Sequence, residues 1–455
     1  YCGARETVGE SSVSSGCWGE DSDHKNGWAR RTPTYVAPIR FFSKPSDFFH
    51  GILGLFSAVS EVESSGSDYW NRSLLVHTKT LKLNVSLARE KTHYQIHVGG
   101  GLLSEAGGIT RQALGSQSRR TAVVSNRRVF DLYGAKLIRS LRSHGFDVTS
   151  WLMGDGERFK SLGTAEKALQ FFSNAGLERT DAVIALGGGV VGDLAGFAAA
   201  TYLRGIPLIH VPTTVTAQID SAIGGKTGVN LPHAKNAIGS FHQPNAVIID
   251  VETLKTLPRR ELVGGWCEAV KNGAIGGQKL FEQTVMFLSQ KESIASPQLP
   301  GLIKSHCEFK AGIVAGDERE SAMRTDKQSR RVLNFGHTIG HALEAVTNYK
   351  RFRHGEAVGH GMHVAAEISK SMGLLAASEL RLLCDGINLC GPLPPANDLD
   401  PNEILRLTQA DKKRVSGSVQ WVLLEEIGRP RIVANQEIPR RLIRDAVRRG
   451  LKSTC

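Results

Sequence analysis

The sequence predicts two folded parts in succession: an α/β domain built on a largely parallel sheet, then a helical domain. Three observations carry that expectation. Six short runs rich in Val and Ile recur at Tyr94–Val98, Thr121–Ser125, Val148–Met153, Ala182–Leu186, Leu208–Val211 and Ala246–Asp250, several of them separated by helix-like patterns. That alternation is what feeds a parallel sheet. One run enters a glycine turn, Leu186-Gly-Gly-Gly-Val-Val-Gly-Asp193, which opens an apolar helix. After Pro258 the strand signal nearly vanishes, and amphipathic helical patterns continue to a late apolar run at Gln420–Leu424. The expected boundaries are 1–78 for an N-terminal extension, 79–257 for the α/β domain and 258–455 for the helical domain.

Composition narrows the class. A chain of 455 residues with 41% hydrophobic content can bury more than one core. Its longest apolar region, Ala182 to Val211, is broken by Asp193 and Arg204, so no membrane partner is expected. The net charge of +12 comes from Lys and Arg scattered among 44 acidic residues. That pattern fits a solvated basic surface better than a nucleic-acid footprint, and no nucleic-acid partner is expected. Cys2, Cys17, Cys267, Cys307, Cys384, Cys390 and Cys455 are odd in number, widely spaced and without a CxxC pair. Free thiols in a reducing, cytoplasmic setting are expected. The first 78 residues are dominated by Ser, Gly and mixed charge, which predicts disorder or loose packing. Their early acidic residues argue against a transit peptide or secretory signal.

Taken in order, the α/β part places its polar signals after strands. Asp155-Gly-Glu-Arg-Phe-Lys160 follows the third run and offers carboxylates for ribose hydroxyls and a lysine for phosphate. The glycine turn satisfies GxGxxG at Gly187, Gly189 and Gly192, so backbone N–H groups at a helix start could approach a dinucleotide phosphate. The motif follows a later strand than usual, however, and a tight strand-to-helix turn without ligand meets the same spacing. Arg204, Asp220, Lys226, Lys235 and Asn236 come next, the last three expected in Gly-rich loops beyond strand ends, where anionic groups are bound.

In the helical part, Glu268 and Lys271 are three apart on one helix face; an exposed ion pair is the ordinary explanation. The stretch Leu333–Met362 gathers imidazoles between two apolar helical patterns. His337 and His341 are four apart and share a face, and His354 opens the second pattern. Two histidines and one acid would suit a divalent metal with an open position, although the same spacing suits a hydrogen-bonded pair without one. Spacing alone favours His341 as a ligand.

Together the segments GGGVVGD, RGIPLIHVPTT, QIDSAIGGKTGVN, AKNAIGSFHQP, EAVKNGAI, DERE, LNFGHTIGHALEA and RFRHGEAVGHGM occur in an order that resembles the 3-dehydroquinate synthases of the sugar phosphate cyclase superfamily. The resemblance covers about 80 to 430 and implies a Rossmann-like NAD domain followed by an all-α metal domain. Carried over residue by residue, it makes Glu268, His337 and His354 the zinc ligands, with Co2+ a possible substitute, and moves His341 to the substrate site. NAD would lie against Asp155, Gly156, Glu157, Arg158, Phe159 and Lys160; Gly189, Val190, Val191, Gly192 and Asp193; Thr213, Thr214, Lys226 and Lys235; and Thr253, Leu254, Lys255 and Thr256. Substrate contacts would come from Arg204, Asp220, Lys226, Asn236, Lys271, Lys310, Glu320, Asn334, His341 and the Asp411–Lys413 segment, with Lys412 the candidate there.

The chain departs from the family pattern in places. It reads AVKNG for VIKYG, has Ala222 for a second serine, and carries Asn126 where an Asp near the adenosine ribose is common. A short insertion near TDKQS leaves both Arg324 and Arg330 at family spacing, and Arg330 is the preferred substrate arginine. The implied chemistry is NAD- and zinc-dependent cyclisation of 3-deoxy-D-arabino-heptulosonate 7-phosphate to 3-dehydroquinate, with loss of phosphate, in the shikimate route. NAD would take a hydride and return it, and zinc would act as a Lewis acid. A homodimer is implied. The alternatives are a cyclase of the 2-deoxy-scyllo-inosose or valiolone type and a metal-dependent polyol dehydrogenase.

Overall fold

The computed structural model describes residues 93–232, 234–290, 293–408 and 419–452, all inside one compact unit, Leu87–Cys455. The expectations for residues 1–78 and for Asp411–Lys413 fall outside the described residues.

The strands are β1 (Gln95–Gly99), β2 (Arg120–Asn126), β3 (Asp147–Met153), β4 (Ala182–Gly187), β5 (Leu208–Pro212), β6 (Lys226–Leu231), β7 (Ala234–Phe241), β8 (Ala246–Asp250), β9 (Gln420–Glu426) and β10 (Arg429–Ala434). Before β8 come the helices α1 (Ala106–Leu114), the single turn α2 (Arg127–Val129), α3 (Ala135–Ser143), α4 (Leu162–Asn174) and α5 (Gly189–Thr201). After it come α6 (Arg259–Gly276), α7 (Gln278–Leu288), α8 (Leu299–Gly316), α9 (His337–Val346), α10 (His354–Ser371), α11 (Ala377–Cys390), α12 (Pro401–Thr408) and α13 (Arg440–Lys452).

All six expected runs are strands of one sheet, in the order β1-β8-β5-β4-β2-β3, and every pairing is parallel. The strands are covered on both faces, as a parallel sheet with helical crossovers requires. Val123, Ile184, Leu186, Ile209 and Ile248 face one core with Leu137 and Leu141 of α3, whereas Ala122, Val124, Val183 and Ala185 face the other with residues of α4 and α5. On β8, Val247 and Ile249 join a third core with Ala269, Ile339, Val358 and Met362 of the helices. The helical part is therefore packed directly on the sheet.

Two expectations are corrected. Lys226, Lys235 and Asn236 do not lie in loops; they belong to the antiparallel hairpin β6–β7. Its glycines hid it from strand propensity, yet Gly228 and Gly239 are paired across the ladder, where a Cβ would strike the facing backbone. The helical part is also not wholly α, since the late run pairs with β10, whose Arg429, Pro430 and Arg431 masked the strand pattern. Cys267, Cys307, Cys384 and Cys390 are buried free thiols. Among the described residues no helix is long and apolar enough to cross a membrane.

The strand order sets the site. From β2 the chain moves outward to β3, then returns to β4 on the other side and proceeds to β5 and β8. The order reverses between β2 and β4, and in open parallel sheets the crevice at the strand C-termini there is where ligands bind. The glycine turn follows a late strand in sequence but stands at that reversal in space.

Candidate active site

Three helices bring one carboxylate and two imidazoles together. Glu268 is wholly buried in the middle of α6, His337 is the first residue of α9 and His354 the first of α10. The helices approach this closely because glycines line their crossings. A Cβ on Gly355 would overlap the carbonyl oxygen of Gly264, and one on Gly361 would overlap that of Gly336. Gly336 also takes φ 78°, a left-handed turn that lets the chain enter α9 at His337. The start of α10 is clamped as well: Arg260 Nε and Nη2 donate to Glu356 Oε1 (2.6 Å) and Oε2 (2.8 Å), and Oε2 also accepts the backbone N–H of Arg353 (2.7 Å).

Glu268 Oε1 lies 3.5 Å from His354 Nε2 and 3.8 Å from His337 Nε2, and ligand atoms of the three residues all lie within 4.8 Å of one another. His337 Nδ1 is 3.1 Å from the carbonyl of Phe335, which suits an N–H there and leaves Nε2 with its lone pair toward Glu268. Oε1 of Glu268 has no hydrogen-bond partner, an expensive state for a buried carboxylate oxygen unless a cation meets it. A pair of imidazoles and one carboxylate with open coordination fits a divalent metal. A second set, His341, Glu344 and His354, shares His354 and also has its donors within 4.8 Å. His341 thus stands beside the first set, its ring centroid 5.5 Å from that of His337, without being a member of it.

The Glu268–Lys271 pair is not exposed. Lys271 Nζ is 2.6 Å from Glu268 Oε2, with both side chains almost wholly buried. Around it gather further expected residues. Lys310 pairs with Asp220, Lys226 with Glu320, and Asn334 Nδ2 donates to Glu320 Oε1 at 3.4 Å. Burial pushes the Lys310 ammonium down to about 8 against the pull of Asp220. Burial would raise the Asp220 carboxyl, but Lys310 and Lys271 outweigh it and hold it well below the usual range. Arg330 is buried, donates from Nη1 to the carbonyl of Glu318 (2.8 Å), and has an unpartnered Nε. Burial depresses its guanidinium while Glu320 and Asp220 raise it, so it belongs electrostatically to this cluster. Arg324 is spent locally, on Asp326, Gln328 and the carbonyl of Gly316. Glu320 and Asn236 hold φ 53° and 50°, a left-handed backbone that is costly outside glycine and concentrates at functional sites.

Arg204 stands apart. It is exposed, with φ 69°, just beyond the far end of α5, about 20 Å from the glycine turn by helix length and toward the N-terminal ends of the strands.

At the strand ends, Gly188 caps α5 and approaches Thr214, while Gly189 approaches Ser221; a Cβ on either would lie about 3 Å from its neighbour. Lys160, buried, bridges Asp193 and Asn236 Oδ1, which joins the loop after β3 to the glycine turn and the hairpin. Asp155 Oδ1 accepts from Asn126 Nδ2 at 2.9 Å, so the residue that departs from the family pattern holds an expected ribose carboxylate. Gly156 is exposed, Glu157 Oε1 accepts from Asn230 Nδ2 (2.8 Å), and Arg158 lies over the Phe159 ring. Val190, Val191 and Gly192 form the first turn of α5, and Thr213 is buried after β5. Of the last expected group, Thr253 and Leu254 are turned into the protein, Lys255 pairs with Glu252, and the hydroxyl of Thr256 meets that of Tyr133.

Sequence reasoning missed Glu344, which is buried and takes both Lys235 Nζ (2.9 Å) and His354 Nδ1 (3.2 Å). Burial pushes its carboxyl up, but His354 and Lys235 prevail and hold it at about 2. Its position three residues after His341, on the same helical turn, was the available signal.

Two family models match the chain, "3-dehydroquinate synthase N-terminal" over residues 150–264 and "3-dehydroquinate synthase C-terminal" over 265–414. The 3-dehydroquinate synthase of Symbiobacterium thermophilum is 42% identical over 364 residues, 79% of this chain and 97% of that protein. Among solved structures, 2-epi-5-epi-valiolone synthase from Streptomyces hygroscopicus subsp. jinggangensis, with NAD+ and Zn2+ bound, superposes with a TM-score of 0.72 at 26% identity, covering 81% of this chain and 99% of that one. A 2-deoxy-scyllo-inosose synthase complexed with carbaglucose-6-phosphate, NAD+ and Co2+ gives a TM-score of 0.69 at 28% identity, covering 78% and 96%.

Proposed function

The chain belongs to the 3-dehydroquinate synthase family, and we propose that it converts 3-deoxy-D-arabino-heptulosonate 7-phosphate to 3-dehydroquinate with release of phosphate, using NAD and zinc, or cobalt in its place. The observation that carries this reading is the convergence of Glu268, His337 and His354 beside the buried Lys271, in a chain whose glycine turn stands at the sheet's topological reversal. When bound, NAD would supply a hydride acceptor and donor, and the metal a Lewis acid.

The chain's own residues would hold the substrate for that chemistry. Lys271 would orient hydroxyls next to the metal ligands, and His341 would face the same space from α9. Lys310, Asn334, Arg330 and Lys226 would bind phosphate and carboxylate, with Asp220 and Glu320 keeping their charges in place until an anion arrives. The unpartnered Nε of buried Arg330 supports choosing it over the locally spent Arg324. The ammonium groups of Lys235, Lys271 and Lys310, together with Asn236, Asn334 and His341, favour a substrate with both phosphate and carboxylate over the deoxy-inosose and valiolone alternatives. In this reading residues 79–257 carry the dinucleotide and 258–455 the metal. The enzyme acts in the cytoplasm as a homodimer, without nucleic-acid or membrane partners. Arg204 fits as a substrate contact if it serves the site of the second copy.

The test supplies purified protein with NAD, zinc and the heptulosonate phosphate and follows phosphate and dehydroquinate together. Equal amounts of both are expected, with no net NADH. Phosphate without dehydroquinate would indicate another cyclase, and accumulating NADH a polyol dehydrogenase.

A further inference from the structure

Glu344 lies on α9, 3% exposed, with one partner on each oxygen. Oε1 accepts from Lys235 Nζ at 2.9 Å, and Oε2 is 3.2 Å from His354 Nδ1. The other nitrogen of that imidazole, Nε2, faces Glu268 Oε1 at 3.5 Å. The His354 ring is therefore held between two buried carboxylates, and the two cannot play the same part. An imidazole that donates Nδ1–H to a carboxylate has a fixed tautomer, a fixed ring plane and a more basic Nε2. Lys235 meets the outer carboxylate at 2.9 Å and is itself positioned, its Nζ 4.4 Å from the centroid of Tyr349, a residue in left-handed backbone at φ 58°.

Lys235 and its neighbour Asn236 leave the hairpin toward different parts of the site. Asn236 Oδ1 accepts from Lys160, which pairs with Asp193 of the glycine turn, while Lys235 reaches Glu344. One strand segment thus joins the strand-end crevice to the imidazole that faces Glu268.

We propose that Glu344 is a positioning residue: it orients His354 as a metal ligand from outside the coordination sphere and anchors the β6–β7 hairpin to the metal site through Lys235. This rests on the metal reading above, and it assigns the set His341, Glu344 and His354 to support rather than to a second metal.

The test measures Co2+ and Zn2+ affinity of the full chain by chelator competition, with the Co2+ d–d spectrum and thermal melting recorded in parallel. Glu344→Gln keeps the shape but loses the charge, and should weaken metal binding about 10- to 100-fold. One metal per chain should remain, with a d–d spectrum of unchanged ligand number. Glu268→Gln, the ligand control, should lose stoichiometric binding. Wild-type metal affinity in Glu344→Gln, with turnover of the heptulosonate phosphate intact, would overturn the proposal alone. Loss of binding in Glu344→Gln with retention in Glu268→Gln would also overturn it, by making Glu344 a ligand. The predicted loss of affinity in Glu344→Gln, with no turnover of the heptulosonate phosphate by the parent chain, would instead overturn the functional reading and leave this one standing.

Discussion

Around Glu268 the polar groups are buried and held by helices that touch through glycine, whereas around the Gly188–Gly192 turn they sit at the rim of a sheet, on segments that follow strand ends. In the first region a side chain is placed by long-range packing, and its charge is offset before any ligand arrives. In the second, the backbone makes the site, and side chains such as Thr253 and Leu254, in the segment after β8, are turned inward to Gln218, Asp250 and the core. Substitutions should therefore be costly and specific on the metal side, and graded on the nucleotide side.

The strongest test of that contrast is the triad. Glu268→Ala should remove stoichiometric metal and lower turnover about 1,000-fold or more, the loss of several kcal/mol of Lewis-acid stabilisation. His341→Ala should keep the metal; loss of metal there and retention in His354→Ala would show that helical spacing, not tertiary placement, selects the ligands.

Gly355→Ala asks whether the crossing of α6 and α10 positions the ligands. The added methyl has no space, so a destabilisation of about 3 kcal/mol is expected, read as a fall in Tm together with weaker metal binding. A Tm within one degree of the parent would place the tolerance of this junction far above that of a packed interior.

Lys226, half exposed, ties the start of the β6–β7 hairpin to Glu320. Lys226→Ala should cost about 10- to 100-fold in turnover, as expected for a charged hydrogen bond, with zinc content unchanged. Lys226→Arg should be nearly as damaging, because the planar fork cannot replace a compact ammonium between two ligands. Near-parent turnover in the Arg variant would reduce Lys226 to a source of positive potential.

Lys310 gives a pH signature. Its ammonium is present below about 8 and lost above it, so kcat/KM should fall as pH rises through that value, about tenfold per pH unit, and Lys310→Arg should remove the limb. Stability moves the other way. The unfolded chain keeps the proton to higher pH, so the unfolding free energy contributed by this group rises from about 8 upward as the cost of burying the charge is relieved. A kcat/KM that stays flat from pH 7 to 9 would exclude the ammonium from substrate binding. At the small end, Lys255→Ala should change stability by less than about 0.5 kcal/mol, since its partner Glu252 is equally exposed, and NAD affinity by less than about twofold.

Much of this molecule was written locally. The six core strands follow from short, nearly continuous Val- and Ile-rich runs, and the helices carrying His337 and His354 from apolar spacing, so residues near in sequence sufficed. The order of the motifs likewise identified the family without coordinates. Local pattern failed wherever the deciding neighbour was far along the chain. Strand propensity could not show that Gly228 and Gly239 face each other in a hairpin, because their value lies in a backbone approach made across a turn. Helical spacing could not separate His341 from His354, nor reveal that Glu268 and Lys271 are buried, because α6, α9 and α10 acquire their relative positions only when Gly264 meets Gly355 and Gly336 meets Gly361. Glu344 is the same case. Its sequence offers one more acid on a helix, and only packing sets its two oxygens against Lys235 and His354. The chain's own order determined which residue types were available, and tertiary contact decided which of them meet, because a carboxylate's chemistry depends on what lies within a few ångströms of it rather than on its place in the chain.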